Sequence, residues 1–230
     1  MKKSLDKSTL KFISALQQNN NREWFGENKT LYDDARIDFI SFLDSMLKEA
    51  AAFEPMAADQ AAKDLVFRFY RDVRFSKNKN PYKDHFGAYL AEGGKKSINP
   101  GYYLHICPNN QSFIAAGLWM PPASPLKAVR QEIDYNLNHF ESLLKAPDFY
   151  SFFGEIGGEK LKTTPKGYEA ENPAIQYLRH KSWMVSHALP DAVVSSDKLM
   201  QECLQAIKLA QPFIDFLMHP MREISGSLEE

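Results

Sequence analysis

The chain has 230 residues, 44% of them hydrophobic and 25% charged, and a formal net charge of −1. Such a composition can bury one good core, and it excludes a disordered chain and a uniformly basic nucleic-acid coat. No apolar run approaches the roughly 18 residues that span a bilayer, and the opening MKKSLDKSTLKF lacks the apolar stretch of a secretory signal.

In chain order, Leu10, Ile13 and Leu16 predict a short helix over 8–19, broken by Asn19, Asn20 and Asn21. A long helix is expected from Arg22 to Ala51. Its broad apolar face combines the stripe Trp24, Leu31, Ala35, Phe39, Phe42, Met46 and Ala50 with Phe25, Tyr32, Ile40, Leu43 and Leu47. Residues 53–63 show no period and read as a connection. From Leu65, alternation predicts a strand with Phe67, Phe69, Val73 and Phe75 on one face and Arg68, Tyr70, Asp72 and Arg74 on the other. Arg71 is the misfit on the apolar face. The polar turn SKNKNPY follows, then a strand from Phe86 to Leu90.

Tyr102–Cys107 and Phe113–Met120 read as strands of a hairpin joined by PNNQ. Ser124-Pro125 opens a helix that runs to Pro147, and a short helix covers 148–153. Asn172-Pro173 starts another, ending near Arg179, and Ser182–His187 reads as one more strand. The last helix is capped by Ser196, turns Leu199, Cys203, Ile207, Ala210, Ile214 and Leu217 inward, and kinks at Pro212. The expected fold class is α+β: a central antiparallel sheet with a hairpin, flanked by N-terminal and C-terminal helices, in one domain over 1–230. Cys107 and Cys203 lie far apart with no CxxC pattern, so the expectation is two reduced, buried thiols in a cytoplasmic protein.

Charge is concentrated in one place. Between Arg68 and Asp84, six basic residues against Asp72 and Asp84 leave +4, and the rest of the chain sums to −5. A local positive field of that kind attracts anions without making the whole surface adhesive for nucleic acid.

NNREWF at 20–25, RFYRDVRFSKNKNPYKDHFGAY at 68–89, GYYLHICP at 101–108, GLWMPP at 117–122 and KAVRQEI at 127–133 stand in a recognisable order. Together they resemble the bacterial domain-of-unknown-function 2461 family, whose signature is Arg-x-x-Arg-Asp-x-Arg-Phe followed by an Asp/Asn-Lys pair and a Tyr. Arg68, Arg71, Asp72, Arg74, Phe75, Asn78, Lys79 and Tyr82 match it. The resemblance implies a fold and a site near this motif, and carries no activity with it.

The motif supports two readings. Arg68, Arg71, Arg74, Lys79 and Lys83 would hold a phosphate- or carboxylate-bearing ligand, with Asp72 ordering the guanidiniums, because the planar fork of Arg matches such groups two bonds at a time. Alternatively the same residues form an internal ion network that fixes the fold. Asp72, Tyr82 and His85 are the candidate proton-handling groups, and Asp84-His85 is a possible acid–base pair. Phe67, Phe69 and Phe75 read as core rather than as base-stacking rings, and Trp119, at a strand end before two prolines, as a core residue rather than part of a surface groove. None of the six histidines has ligand spacing, so no metal is expected, and no cofactor is implied. EGGKKS at 92–97 fails as a phosphate loop because Lys96 stands where Ser or Thr is needed. The functional expectation is a protein that binds or processes a small anion, whether or not it is an enzyme. The alternative is a non-enzymatic module that docks an acidic protein or a nucleic acid. Tight nucleic-acid binding is disfavoured by the net charge, and no membrane partner is expected.

Overall fold

The computed structural model describes residues 1–226. In chain order its elements are α1 (Lys7–Gln18), α2 (Arg22–Glu27), α3 (Lys29–Ala50), a 3-10 turn (Pro55–Ala57), α4 (Ala62–Leu65), β1 (Phe86–Ala91), β2 (Gly101–Ile106) and β3 (Ser112–Leu118). There follow α5 (Ala123–Tyr135), α6 (Leu137–Leu144), α7 (Pro147–Phe153), α8 (Ile175–Leu178), β4 (Trp183–Leu189), α9 (Asp191–Val194) and α10 (Lys198–Gly226). The strands form one antiparallel sheet in the order β1-β2-β3-β4, so the α+β class holds and the expected hairpin is present as β2–β3.

The hairpin turn shows why PNNQ works. Asn109 and Asn110 both take positive φ, 65° and 58°, which Asn tolerates better than most residues. Their backbone N–H groups donate to the Asp191 carboxylate at 2.9 and 3.0 Å, so α9 locks the turn from outside.

Two helices expected to be continuous are broken, and both breaks fall on Asn. Asn28 ends α2 and its side-chain amide donates to Trp24 O at 2.9 Å. Asn136 ends α5 and its amide donates to the Glu132 carboxylate at 2.9 Å. A short amide side chain that finds a partner within one turn offers the chain an alternative to continuing the helix.

The residues group into two compact units. The first comprises Met1–Leu90, Tyr103–Ile114 and Ala188–Gln205; the second comprises Ala91–Tyr102, Ala115–His187 and the chain from Ala206 onward. In the first unit, α1 packs on α3, burying Leu10, Ile13 and Leu16 with Phe39, Phe42 and Leu43. A ring network continues this core: Phe25 stacks on Tyr82 at 4.0 Å, and Phe69 and Phe39 each meet Phe86 at about 5.4–5.5 Å. Along β2 the pleat separates two faces. Leu104 and Ile106 are buried, whereas Tyr103 and His105 are half-buried.

In the second unit α5 packs against α6 and α8, around Phe140, which meets Tyr177 at 5.2 Å and Phe216 at 5.1 Å. Arg130 ties α5 to the end of α8, donating from Nε to Leu178 O at 2.7 Å and from Nη2 to His180 O at 3.1 Å. Trp183 is fully buried, its indole N–H on Tyr177 O at 3.1 Å. Trp119, expected in the core, is 67% exposed. Leu118 takes the inward position at the end of β3, and the pleat turns the next residue outward.

Candidate functional site

The basic segment is extended, but it is not the strand expected over Leu65–Phe75. After α4 it runs antiparallel to residues 81–88 through two isolated bridges, Val66 with Ala88 and Tyr70 with Tyr82. From Val66 to Tyr70 is four positions, whereas from Ala88 back to Tyr82 is six, so the ladder loses register and cannot extend into a regular strand. Single backbone bonds hold the pair together: Phe67 N to Gly87 O at 2.9 Å, Lys83 N to Phe69 O at 2.8 Å and Arg71 N to Pro81 O at 2.9 Å. Asn20 clamps the same place from the preceding helical region, donating to Tyr82 O at 3.0 Å and accepting from Tyr82 N at 3.1 Å. Two of the sequence stretches singled out above therefore meet at Tyr82.

Tyr82 itself is 5% exposed and stacked in the ring core, and burial raises its pKa. Beyond the pair, residues 72–80 form a projecting loop. Phe75, expected to be core, is 96% exposed on it, because pairing has ended at Tyr70 and no sheet remains for it to face.

In and beside the loop, five of the motif's cations divide into two groups. Arg74 is engaged by Asp72, Nε to Oδ1 at 3.0 Å and Nη2 to Oδ2 at 2.7 Å; those bonds, with the Arg74 N–H, hold the Asp72 carboxyl below the usual range. Arg71 donates from Nη1 to Asn80 O at 3.2 Å and from Nη2 to Ser76 Oγ at 3.4 Å, and Lys79 donates to Val73 O at 3.1 Å. These three close their own loop. Arg68 and Lys83 differ: among the described residues neither has a carboxylate at ion-pair distance.

Stability measurements separate the engaged arginines. The Arg74–Asp72 pair is exposed and screened by solvent, so Arg74→Ala should leave the urea midpoint unchanged. Arg71 is half-buried and closes the loop onto two acceptors, so Arg71→Ala should cost about 1 kcal/mol. Equal midpoints for the two variants would contradict this division.

Lys83 leads from the loop to the sheet. Its ammonium stands 5.2 Å from the Phe67 ring centroid, and burial, then the neighbouring Arg68 charge, pulls its pKa down. The next residues start a polar array on the half-buried face of the sheet. Asp84 Oδ1 is 3.1 Å from His85 Nδ1; the His85 and His105 rings are 4.3 Å apart; and the Tyr103 hydroxyl is 3.1 Å from His105 Nδ1. His105 also stacks on Phe113 at 4.7 Å and 14°. Burial holds His105 neutral, its pKa down at about 4, and also lowers that of His85, against the opposing pull of Asp84. Burial likewise pushes the Tyr103 phenol up to about 12.

A family model described as "Conserved hypothetical protein (DUF2461)" matches residues 8–216. The chain belongs to the DUF2461 family. No curated protein and no solved structure matches it.

In this DUF2461 chain the sequence motif supplies Lys83 and His85, but the groups they face come from elsewhere. Tyr103, His105 and Phe113 were not among the expected site residues. The signal for Tyr103 and His105 lies in β2, where buried Tyr102, Leu104 and Ile106 alternate with them, so the two share the non-core face. Gly87 makes room for them: a Cβ there would lie 2.6 Å from the Tyr103 hydroxyl. Among the described residues no group of three or more His, Cys, Asp or Glu side chains could hold a metal ion. No described helix is long and apolar enough to cross a membrane.

Proposed function

We propose that this protein binds a small anionic ligand, phosphate- or carboxylate-bearing, beside the His85–His105 pair, with Lys83 and Arg68 taking the charged group. One observation carries the reading: two neighbouring cations, one of them half-buried, have no carboxylate at ion-pair distance among the described residues. A desolvated ammonium next to a guanidinium is a standing electrostatic cost, and an anion seated against both removes it. The imidazoles of His85 and His105, whose protonation burial disfavours, add hydrogen-bonding capacity. Arg71, Arg74 and Lys79 shape the loop in this reading, and Asp72 orders Arg74 alone.

Calorimetric titration with inorganic phosphate tests it. One phosphate per chain should bind and raise the melting temperature. Lys83→Gln and Arg68→Gln should each weaken binding by about 1.5–3 kcal/mol, the worth of a charge-assisted hydrogen bond, while Arg74→Ala should bind as the parent does. Unchanged binding in both glutamine variants would sink the proposal.

Phe75 supports a second reading. An almost fully exposed aromatic ring, with Arg74 and Lys77 beside it and Lys79 nearby, suits docking to an acidic protein or a single-stranded nucleic acid. That reading is favoured if single-stranded RNA binds with a steep salt dependence and Phe75→Ala abolishes the binding.

A further inference from the structure

We infer that the ligand of this site carries a planar ring as well as its anionic group, and that the ring lies against the His85–His105–Phe113 row. The inference rests on the anion-binding reading above and specifies what that anion is attached to.

Three independent observations converge on the ring. The first is a ledge of half-buried ring side chains on one face of the sheet. Phe67 and Tyr103 lie 6.2 Å apart, Tyr103 and Phe113 5.9 Å, His105 and Phe113 4.7 Å, and His85 and His105 4.3 Å. The two shortest separations are close to the roughly 4.8 Å spacing of neighbouring strands. The rings therefore stand side by side as rungs, His105 and Phe113 stacked at 14° and His85 tilted by 31° against His105. The core does not require this row. The buried rings of the unit, Phe39, Phe69 and Phe86 among them, are separate from it, and the β2 residues that feed the core are Leu104 and Ile106.

The second observation is the hydrogen-bonding pattern. Nδ1 of His85 is taken by Asp84 and Nδ1 of His105 by the Tyr103 hydroxyl, at 3.1 Å in both cases. No hydrogen bond from a described residue engages either Nε2. Two oriented imidazoles with one uncommitted nitrogen each suit the polar edge of a ring system.

The third is charge placement. Burial keeps the His105 imidazole neutral and disfavours protonation of His85, whose Nδ1 faces the Asp84 carboxylate, whereas the cations Lys83 and Arg68 lie at that end of the row, Lys83 over the Phe67 ring. A ligand with separate anionic and aromatic parts fits that division: the charge goes to the cations and the ring to the rings.

Methyl phosphate and phenyl phosphate differ in the ring and share the dianion, so a calorimetric comparison isolates the ring. Phenyl phosphate should bind roughly tenfold more tightly, the scale of one aromatic contact. The advantage should shrink in Phe113→Leu and His85→Gln, each of which removes one rung, with methyl phosphate binding little changed in Phe113→Leu. Proton NMR of the parent protein gives a readout independent of variant folding: the His85 and His105 ring signals should move upfield with phenyl phosphate and not with methyl phosphate. If both esters bind equally, or the imidazole signals respond equally to both, the ring inference is wrong and the anion site stands. Phenyl selectivity retained in both variants would also overturn it, by placing the ring elsewhere. If neither ester binds the parent, the anion reading itself fails.

Discussion

Gly117→Ala is expected to be the most damaging single-methyl addition in this fold. Gly117 sits in β3 with φ at 137°, a conformation that L side chains rarely adopt. An added Cβ would also stand 2.0 Å from Trp183 O and 3.0 Å from Met184 Cα, both on the backbone of β4. Backbone atoms of a paired strand cannot swing aside as a side chain can, so relief requires β3 and β4 to part. Trp183 is fully buried and bonded to Tyr177 O, which ties that strand to the packing around Phe140. Strain and overpacking together should cost on the order of 4 kcal/mol. Gly94→Ala is the control: φ is also positive, at 79°, but nothing lies within 4 Å, so only the backbone preference, about 1 kcal/mol, is lost. Urea unfolding of the two variants would read the difference directly. Equal midpoints would mean that β3 and β4 are not held this close.

Asp38→Ala should cost about 3 kcal/mol, the scale for removing one partner of a buried charged network. Asp38 is 8% exposed on α3 and gathers the start of the chain. Its Oδ2 accepts from Asp6 N at 3.0 Å and from Thr9 Oγ1 at 2.5 Å, and its Oδ1 lies 2.6 Å from Lys2 Nζ. Removing the carboxylate leaves the buried Thr9 hydroxyl and the Asp6 amide without that acceptor, and weakens the hold of α1 on α3. Lys2→Met is the informative comparison. Lys2 is more exposed than Asp38 and its loss leaves the carboxylate two donors, so the effect should be clearly smaller. A Lys2→Met protein as unstable as Asp38→Ala would show the ion pair, rather than the hydrogen bonds, to be the main contributor.

The candidate site was only partly legible in the sequence. Lys83, Arg68 and the Asp84-His85 pair stand in one conspicuous run, and their charge excess is a local property that no folding is needed to see. Alternation sets Arg71 apart from Arg68 and Arg74 in that run but does not distinguish Arg74 from Arg68. Short-range geometry separates them, since Asp72 lies two residues from Arg74, and Ser76 and Asn80 are within reach of Arg71. Tyr103, His105 and Phe113 could not be joined to His85 by spacing, because strand register alone brings them together.

The sequence by itself determined the α+β class, the hairpin with its Asn-rich turn, the strand that became β4 and the family, since these depend on local period and turn chemistry. The tertiary structure decided which faces meet. Phe69 and Phe75 share a parity along the basic segment, yet Phe69 is buried in the ring core and Phe75 is in solvent. The difference is that pairing with residues 81–88 loses register and stops at Tyr70. Alternation says which side of a strand a residue takes. It does not say how far the partner strand continues, and burial requires the partner.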